Sequence, residues 1–493
     1  MRRPVPPAGP GARAAGVAGG TLATVVGFLA FVELTSGVIQ GYYTPMLTDI
    51  ARHLGVHDAD VNWLEGTQLM VSALVVPVLA KLGDMVGHRR MLLVSSGVTA
   101  VATLALPFMP SFGLFLTAWA IQGFYSAWLP LEIALVWSRS RGLPNSAALT
   151  AQAAGILVAA LEIGAITGAL TGGALVDALP LQVVLLVPGV LVAACFVVVW
   201  FGVAETPEPT GGRLDLRGLV LLSLALLAFT GGLSMLRLNG VGSAFAWAVV
   251  ALGLLLLWPF ARWELRQTDP LVDVRMFRSP ALGPVFLTAG LFGVSVLGAQ
   301  APLSTFARTD PTVHGYGLGT TGFQTSLLIG IYLVAMIVGA LTFPRVARVV
   351  TPRITLVGAA GCVGAGFLLF LPFHGTYLQV AVNMVVVGIG SGALIAALPS
   401  AAAAAAPPTQ TGVATGLTNS VKTLGGAVAS CVFGIALLGT AGANAAGAAE
   451  STAGSFAGYL TVWVVCGATA LVAAALLLVV PKQAFTDRAA HPV

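Results

Sequence analysis

The sequence predicts an all-α polytopic membrane protein: fourteen transmembrane helices, arranged as two six-helix halves with a two-helix hairpin inserted between them. Three observations lead there. Of 493 residues, 57% are hydrophobic and only 8% are charged, against about 25% charged in soluble domains, so a soluble chain is excluded. Apolar runs long enough to cross the hydrocarbon, about 20 residues each, recur fourteen times. The basic residues then collect on alternate sides of those runs, as the positive-inside rule requires.

The runs fall at 20–44, 61–80, 91–109, 112–137, 147–175, 181–203, 217–236, 244–262, 281–306, 322–343, 354–373, 377–400, 411–440 and 457–480. An even count places both termini on one side. With that side inside, Arg52, Arg237 and Arg308 alone lie outside and Lys422 lies within a span, leaving nineteen of the 23 lysines and arginines inside. Residues 1–19, MRRPVPPAGPGARAAGVAG, are expected to be a cytoplasmic tail, because the apolar run after them is too long for a signal peptide. The long polar connections ETPEPTGGRLDLR (205–217) and RWELRQTDPLVDVRMFRSP (262–280) bracket the seventh and eighth runs. They divide the chain into a first half at 20–204, linkers and hairpin at 205–280, a second half at 281–481 and a cytoplasmic tail at 482–493. Repetition of this kind marks carriers whose site lies between the repeats. The outer segment 439–458, GTAGANAAGAAESTAGSFAG, is low in complexity. Sixty glycines and 28 prolines suit membrane helices. Cys195, Cys362, Cys431 and Cys466 lie in apolar runs without C-x-x-C spacing and read as small core residues. The net charge of +5 is dispersed, so no nucleic acid partner is expected.

Within the fifth run, GILVAALEIGAITGALTGG (155–173), Gly164, Gly168 and Gly172 recur every four residues and form one side-chain-free stripe. The stripe occupies the outer part of the span, where an external gate is expected, with Glu162 just inward and roughly opposite it. An ionisable group at that depth is costly and points to function. Glu33 stands near the middle of the first span and Glu132 toward the inner end of the fourth; Glu65 is nearer the outer end of the second. Carboxyl groups in a low-dielectric site can take up and release protons as the site opens and closes, and can attract a cationic substrate. Glu132, after Pro130, reads equally as a hydrated structural group, Glu65 as a vestibule residue, and Lys422 as a partner of an acid or a packing residue. Of the aromatics Tyr42, Tyr43, Trp119, Phe124, Tyr125, Trp128, Phe323 and Tyr332, half at most are expected at a ligand; Tyr42, Trp119, Tyr125 and Trp128 are the candidates in the first half.

Between the second and third spans stands AKLGDMVGHRR (80–90), in which Leu82, Asp84, Gly87, Arg89 and Arg90 match G-x-L-A-D-R-x-G-R-R while Ala80, Met85 and His88 depart from it. In this the chain resembles the major facilitator superfamily. The resemblance implies that Asp84, with Gly87, Arg89 and Arg90, latches a cytoplasmic gate. Gly155, Gly164, Gly168, Gly172 and Gly173 are in register with the antiporter signature G-x8-G-x3-G-P-x2-G-G, with Ala169 in the proline position. The plainer reading is a packing helix. TPMLTDIARHLG (44–55), RLDLRG (213–218), ELRQTDPLVDVRMFRSP (264–280) and GLTNSVKTLGGAVAS (416–430), with Lys422, Gly425 and Gly426, are similar in order and spacing to the fourteen-span drug:proton antiporter branch. That branch carries R-x-x-Q-G on its fourth helix, where this chain has Trp119 followed by Gln122 and Gly123. The usual coupling arginine is absent, so coupling either uses other residues or has been lost.

The expected function is therefore proton-driven export of amphipathic organic compounds by alternating access. Export of one endogenous metabolite, lipid or siderophore is the second reading, ahead of uptake symport or a channel. An enzyme is disfavoured by the lack of H-E-x-x-H and G-x-S-x-G, and an ATP-driven pump by the lack of G-x4-G-K-S/T. No cofactor or metal is expected. The expected partners are a small organic substrate, protons and the bilayer of the cell membrane, with the protein a monomer.

Overall fold

The computed structural model describes residues 10–140, 146–204, 214–268, 270–406, 410–439 and 452–479, and among these every regular element is a helix. Most of the first long linker, the second tail and most of the low-complexity outer segment lie outside the described residues, as do Arg141 and Arg213. In chain order the helices are α1 (Pro10–Tyr42), α2 (Leu47–Leu54), α3 (Val61–Val86), α4 (His88–Ala105), α5 (Phe112–Gln122), α6 (Trp128–Ser140), α7 (Ser146–Ala178), α8 (Leu181–Gly202), α9 (Leu216–Asn239), α10 (Ala244–Glu264), α11 (Gly283–Val296), α12 (Gln300–Arg308), α13 (Pro311–His314), α14 (Gly322–Val349), α15 (Pro352–Leu369), α16 (Tyr377–Ala405), α17 (Thr411–Leu438) and α18 (Phe456–Val479). α1 starts at Pro10, so the helix extends into the segment expected as a tail; the alanines there are strong helix formers.

Thirteen of the described helices are long and apolar enough to span a bilayer, one fewer than the sequence predicts. The difference lies at 112–137, where α5 and α6 are separated by a 3₁₀ turn, Gly123–Ala127. Pro130 in the first turn of α6 has no N–H to donate to the carbonyl of Ser126 in the 3₁₀ turn, so an α ladder is not carried across it. The carbonyls freed at the break find hydroxyl donors instead: Ser72 Oγ donates to Gly123 O at 2.9 Å, and Ser95 Oγ to Phe124 O at 2.8 Å.

The same pairing pattern occurs twice. α1 packs on α7 and α4 on α8, as α11 packs on α17 and α15 on α18; α3 packs on α5 as α14 packs on α16. Two separate hydrophobic cores follow from this, one built on Leu29, Trp119, Trp128 and Val192, the other on Phe286, Phe367, Leu394 and Trp463. The halves meet through α3 against α17 and α7 against α14, which are corresponding helices exchanged between repeats. The hairpin α9–α10 closes on itself where Gly232 meets the backbone of Val250 and Gly253 that of Phe229. Leu226, Leu233 and Leu236 of α9 then cover the α3–α17 seam at Met70, Trp63, Ala427 and Cys431.

The stripe Gly164–Gly168–Gly172 is a seam inside the first half, against α1. A Cβ at these positions would strike the carbonyls of Leu34, Val38 and Tyr42 on α1, and Gly37 and Gly41 of α1 make the reciprocal approach to Leu161 and Ala165. Gly173 is the member of the motif that touches the other half, at Gly322 and Ser326 of α14. Gly155 has open space beside it.

Candidate functional site

Between the halves lies a cavity of about 90 Å³. The first half contributes Gln40, Gly41 and Thr44 at the end of α1 and Ala165 of α7; the second half contributes most of the wall, including Gln300, Ser304, Thr325, Tyr332, Phe367, Phe370, Met384 and Val387. The lining is mainly apolar with a few convergent amide and hydroxyl groups, the usual composition of a site for an organic ligand.

One end of the cavity is sealed by bonds between the halves. Arg308, at the end of α12, donates from Nη2 to Asp49 Oδ1 and Oδ2 at 2.7 and 2.6 Å and from Nη1 to Thr320 O at 3.2 Å. Asp177, at the end of α7, accepts from the backbone N–H groups of Gly322 and Phe323 at 2.8 Å each, so it caps the positive end of α14 from the opposite half. Its carboxylate also lies 3.9 Å from Arg308. Ser304 donates to Thr44 O beside these groups. At the same end the hairpin is tied to the first half by Arg237 and Asp60, 2.6 Å apart. None of these contact residues was singled out from the sequence for this role, although Arg237 and Arg308 were two of the three basic residues expected on the outer side.

At the opposite end, Gly87 closes the AKLGDMVGHRR turn with φ of 112°, a conformation that favours glycine. Asp84 faces His88 at 3.2 Å. Arg89 donates to the carbonyls of Trp200 and Val203, and Arg139 to that of Ala204, so both arginines complete the exposed C-terminus of α8 within the first half. Arg90 donates to Val86 O at 3.3 Å.

Glu33 and Glu132, chosen separately from the sequence, come together. Both are fully buried, on the packed helices α1 and α6, near enough to interact, and none of the four oxygens has a conventional hydrogen-bond partner among the described residues. Cys195 of α8 is their neighbour. Glu33 lies two turns from the cavity-lining Gln40 on the same face of α1. Glu162 and Lys422 belong to opposite halves, on α7 and α17, are each half-buried, and are near enough to attract one another. Tyr332 of the cavity wall stands on α14, which packs on the α7 helix that carries Glu162.

The expected first-half aromatics are not the cavity's aromatics. Trp119 packs on Tyr43 and Phe115, at centroid distances of 4.7 and 5.9 Å; Tyr42 donates to Val184 O at 2.9 Å, and Trp128 to Ser95 Oγ at 2.9 Å. All are core groups, because a large ring fills the gaps between α1, α4, α5 and α8. Tyr125 lies beside the lining residue Gln40 without lining the cavity itself. Beside Trp119, Gln122 joins a buried network: Gln68 Nε2 donates to its oxygen at 3.0 Å, and its own amide donates to Tyr43 Oη at 3.2 Å and Thr103 Oγ1 at 3.1 Å.

Two corresponding bundles around a shared cavity, sealed at one end by ion pairs, define a multi-pass membrane carrier. Residues 29–430 match the Major Facilitator Superfamily, and the chain belongs to that family. It is 29% identical over 404 residues to the cephamycin export protein CmcT of Amycolatopsis lactamdurans, covering 80% of each chain. It is 26% identical to the drug efflux pump JefA of Mycobacterium tuberculosis over 446 residues, 87% of this chain and 81% of that one. The multidrug efflux pump LfrA of Mycolicibacterium smegmatis is 26% identical over 375 residues, 76% and 72% of the two chains. The fold matches the nucleoside transporter NupG with a TM-score of 0.65 at 13% identity (92% of this chain, 99% of that one). It matches an auto-inhibited POT family peptide transporter with a TM-score of 0.67 at 16% identity (95% and 99%).

Proposed function

We propose that the protein is a proton-driven exporter of amphipathic organic compounds of the fourteen-span drug:proton antiporter branch, working by alternating access as a monomer. The repeat pattern supports counting α5 and α6 as one interrupted span, since together they stand where α16 stands in the second half. The basic residues at the Arg89 end favour a cytoplasmic side there, with both termini, in the cell membrane. Arg308, Asp49 and Asp177 are then the outer gate, and Asp84, Gly87, Arg89 and Arg90 belong to the inner one. The glycines 155 to 173 serve as the antiporter-motif helix, and Glu33, Glu132, Glu162 and Lys422 as the proton and substrate groups.

The observation that carries the proton-driven reading is the pairing of Glu33 with Glu132. Two neighbouring, fully buried carboxyl groups with no basic partner among the described residues favour sharing a proton, because two like charges at close range are not both sustained. Rotation of the halves that admits water would release that proton, and closure would require it back. The site replaces the arginine that Trp119 has displaced. Relatives named as efflux pumps and export proteins support the outward direction. The name of the cephamycin exporter is the specific reason to keep a single endogenous product as the second reading. In proteoliposomes, a pH gradient should drive uptake of a lipophilic dye into inverted vesicles, and Glu33→Gln and Glu132→Gln should remove the gradient-dependent part while dye binding persists. Gradient-driven transport at the wild-type rate in both variants would exclude this site.

A further inference from the structure

Two stretches 260 residues apart share a pattern: Gln40-Gly41-x-x-Thr44 stands at the end of α1 in the first half, and Gln300-Ala301-x-x-Ser304 opens α12 in the second. They meet, because Ser304 donates to Thr44 O. Corresponding residues of two repeats touch only where the axis relating the repeats passes, so this bond marks the axis. Gln40 and Gln300 each stand one turn before it, and both line the cavity. The cavity thus has an amide on either side of the axis, one from each half.

The rest of the lining decides what those amides can hold. Among the described residues no Asp, Glu, Lys, Arg or His lines the cavity, so a charged ligand would lose water there without gaining a counter-charge. Ser304 and Thr325 spend their hydroxyls on Thr44 O and Thr321 O. The side-chain amide of Gln300 has no hydrogen-bond partner among the described residues. Gln40 is exposed and Gln300 half-buried, so neither residue is closed off by packing. Each amide offers two donors and an acceptor, which matches a ligand group that both accepts and donates.

Resting on the exporter reading above, we infer that this cavity takes uncharged amphipathic compounds with a carboxamide-like polar group, clasped by Gln40 and Gln300 from opposite halves, with the apolar body against Phe367 and Phe370. A ligand held this way ties the halves together beside the axis that relates them. Glu33 and Glu132 lie outside the lining, so proton uptake and ligand selection are separate tasks.

The test uses four compounds with one apolar body, naphthylacetamide, naphthylethylamine, naphthylacetate and ethylnaphthalene, in competition binding near neutral pH on the full-length protein in detergent, with the acetamide and the amine radiolabelled in turn. Wild type should bind the acetamide about tenfold more tightly than each of the other three. Gln40→Leu and Gln300→Leu should each lower its affinity about five- to tenfold while leaving that of ethylnaphthalene unchanged. Gln300→Glu should instead turn the preference to the amine, a gain that misfolding does not mimic. A wild-type preference for the amine or the acetate, an unchanged ranking in either leucine variant, no turn to the amine in Gln300→Glu, or no saturable binding of the acetamide would overturn the inference. Gradient-driven dye transport by the same preparations in proteoliposomes separates the cases. If it persists while the ranking fails, the exporter reading stands and the ligand class falls; if the ranking holds while wild type moves no dye, the exporter reading falls and the selectivity of the cavity remains.

Discussion

Arg308 grips both carboxylate oxygens of Asp49 across the two halves, at 2.7 and 2.6 Å, with only 10% of its own side chain and 21% of that of Asp49 exposed. Both bonds come from the single nitrogen Nη2, and a charge-assisted contact of this kind, partly buried, is stronger than a neutral hydrogen bond and is screened little by salt. Arg308→Gln should therefore weaken closure at this end by about 1–2 kcal/mol, a shift of about 5- to 30-fold in the balance between states. Labelling of a cysteine placed at Ser304, beside the seal, by a membrane-impermeant maleimide should accelerate accordingly. An unchanged rate would mean that the pair is ornamental to the gate. The native cysteines Cys195, Cys431 and Cys466 are buried, and the half-buried Cys362 is replaced by serine in the background protein.

Asp177 acts on the same seal from a second direction, by capping α14 through Gly322 N and Phe323 N while lying 3.9 Å from Arg308. Groups that share a partner do not contribute independently. Asp177→Ala should open the seal on its own, and the double variant Asp177→Ala with Arg308→Gln should fall short of the sum by at least about 0.5 kcal/mol. Additive labelling rates in the double-mutant cycle would show two unconnected contacts.

The bundle was legible in the sequence because each span announces itself by length and apolarity, and the positions of the basic residues are a collective signal that single errors do not erase. The interruption at Gly123–Ala127 was not, since it depends on Ser72 and Ser95 of other helices supplying donors to freed carbonyls. For the same reason Glu33 and Glu132 could each be picked out by depth, but their pairing could not. The gate was half visible: Arg237 and Arg308 broke the charge rule, and the structure gives them Asp60 and Asp49 as partners. Glycine spacing predicted a close approach but not its partner, α1, because periodicity identifies a face and not what lies opposite it.

That distinction is testable along α7. At Gly168 a Cβ would lie 2.6 Å from Val38 O and 2.8 Å from Val38 Cα, both backbone atoms that have no room to retreat. Gly168→Val should push α1 from α7 and cost about 1–3 kcal/mol or more, read as a lower midpoint of thermal aggregation and poor recovery in detergent. Gly155→Ala, which meets nothing within 4 Å, should be neutral or stabilising by up to about 1 kcal/mol from helix propensity. Similar behaviour of the two variants would contradict the seam.

Trp119 offers the sharpest comparison with the R-x-x-Q-G pattern. Its ring is 1% exposed and stacked among Phe115 and Tyr43, with its indole N–H unpaired, next to a Gln122 network whose visible bonds are already directed to Gln68, Tyr43 and Thr103. Restoring arginine here would remove a large aromatic group and bury a cation among aromatic rings and neutral amides. The first change alone costs about 3–5 kcal/mol, and an uncompensated buried charge adds to it. Trp119→Arg should therefore fail to improve coupling and should lower the unfolding midpoint well below that of Trp119→Phe, which keeps an apolar ring in the site. A stable Trp119→Arg protein with faster gradient-driven transport would show instead that the site still accommodates the arginine and that the carboxyl pair works with one.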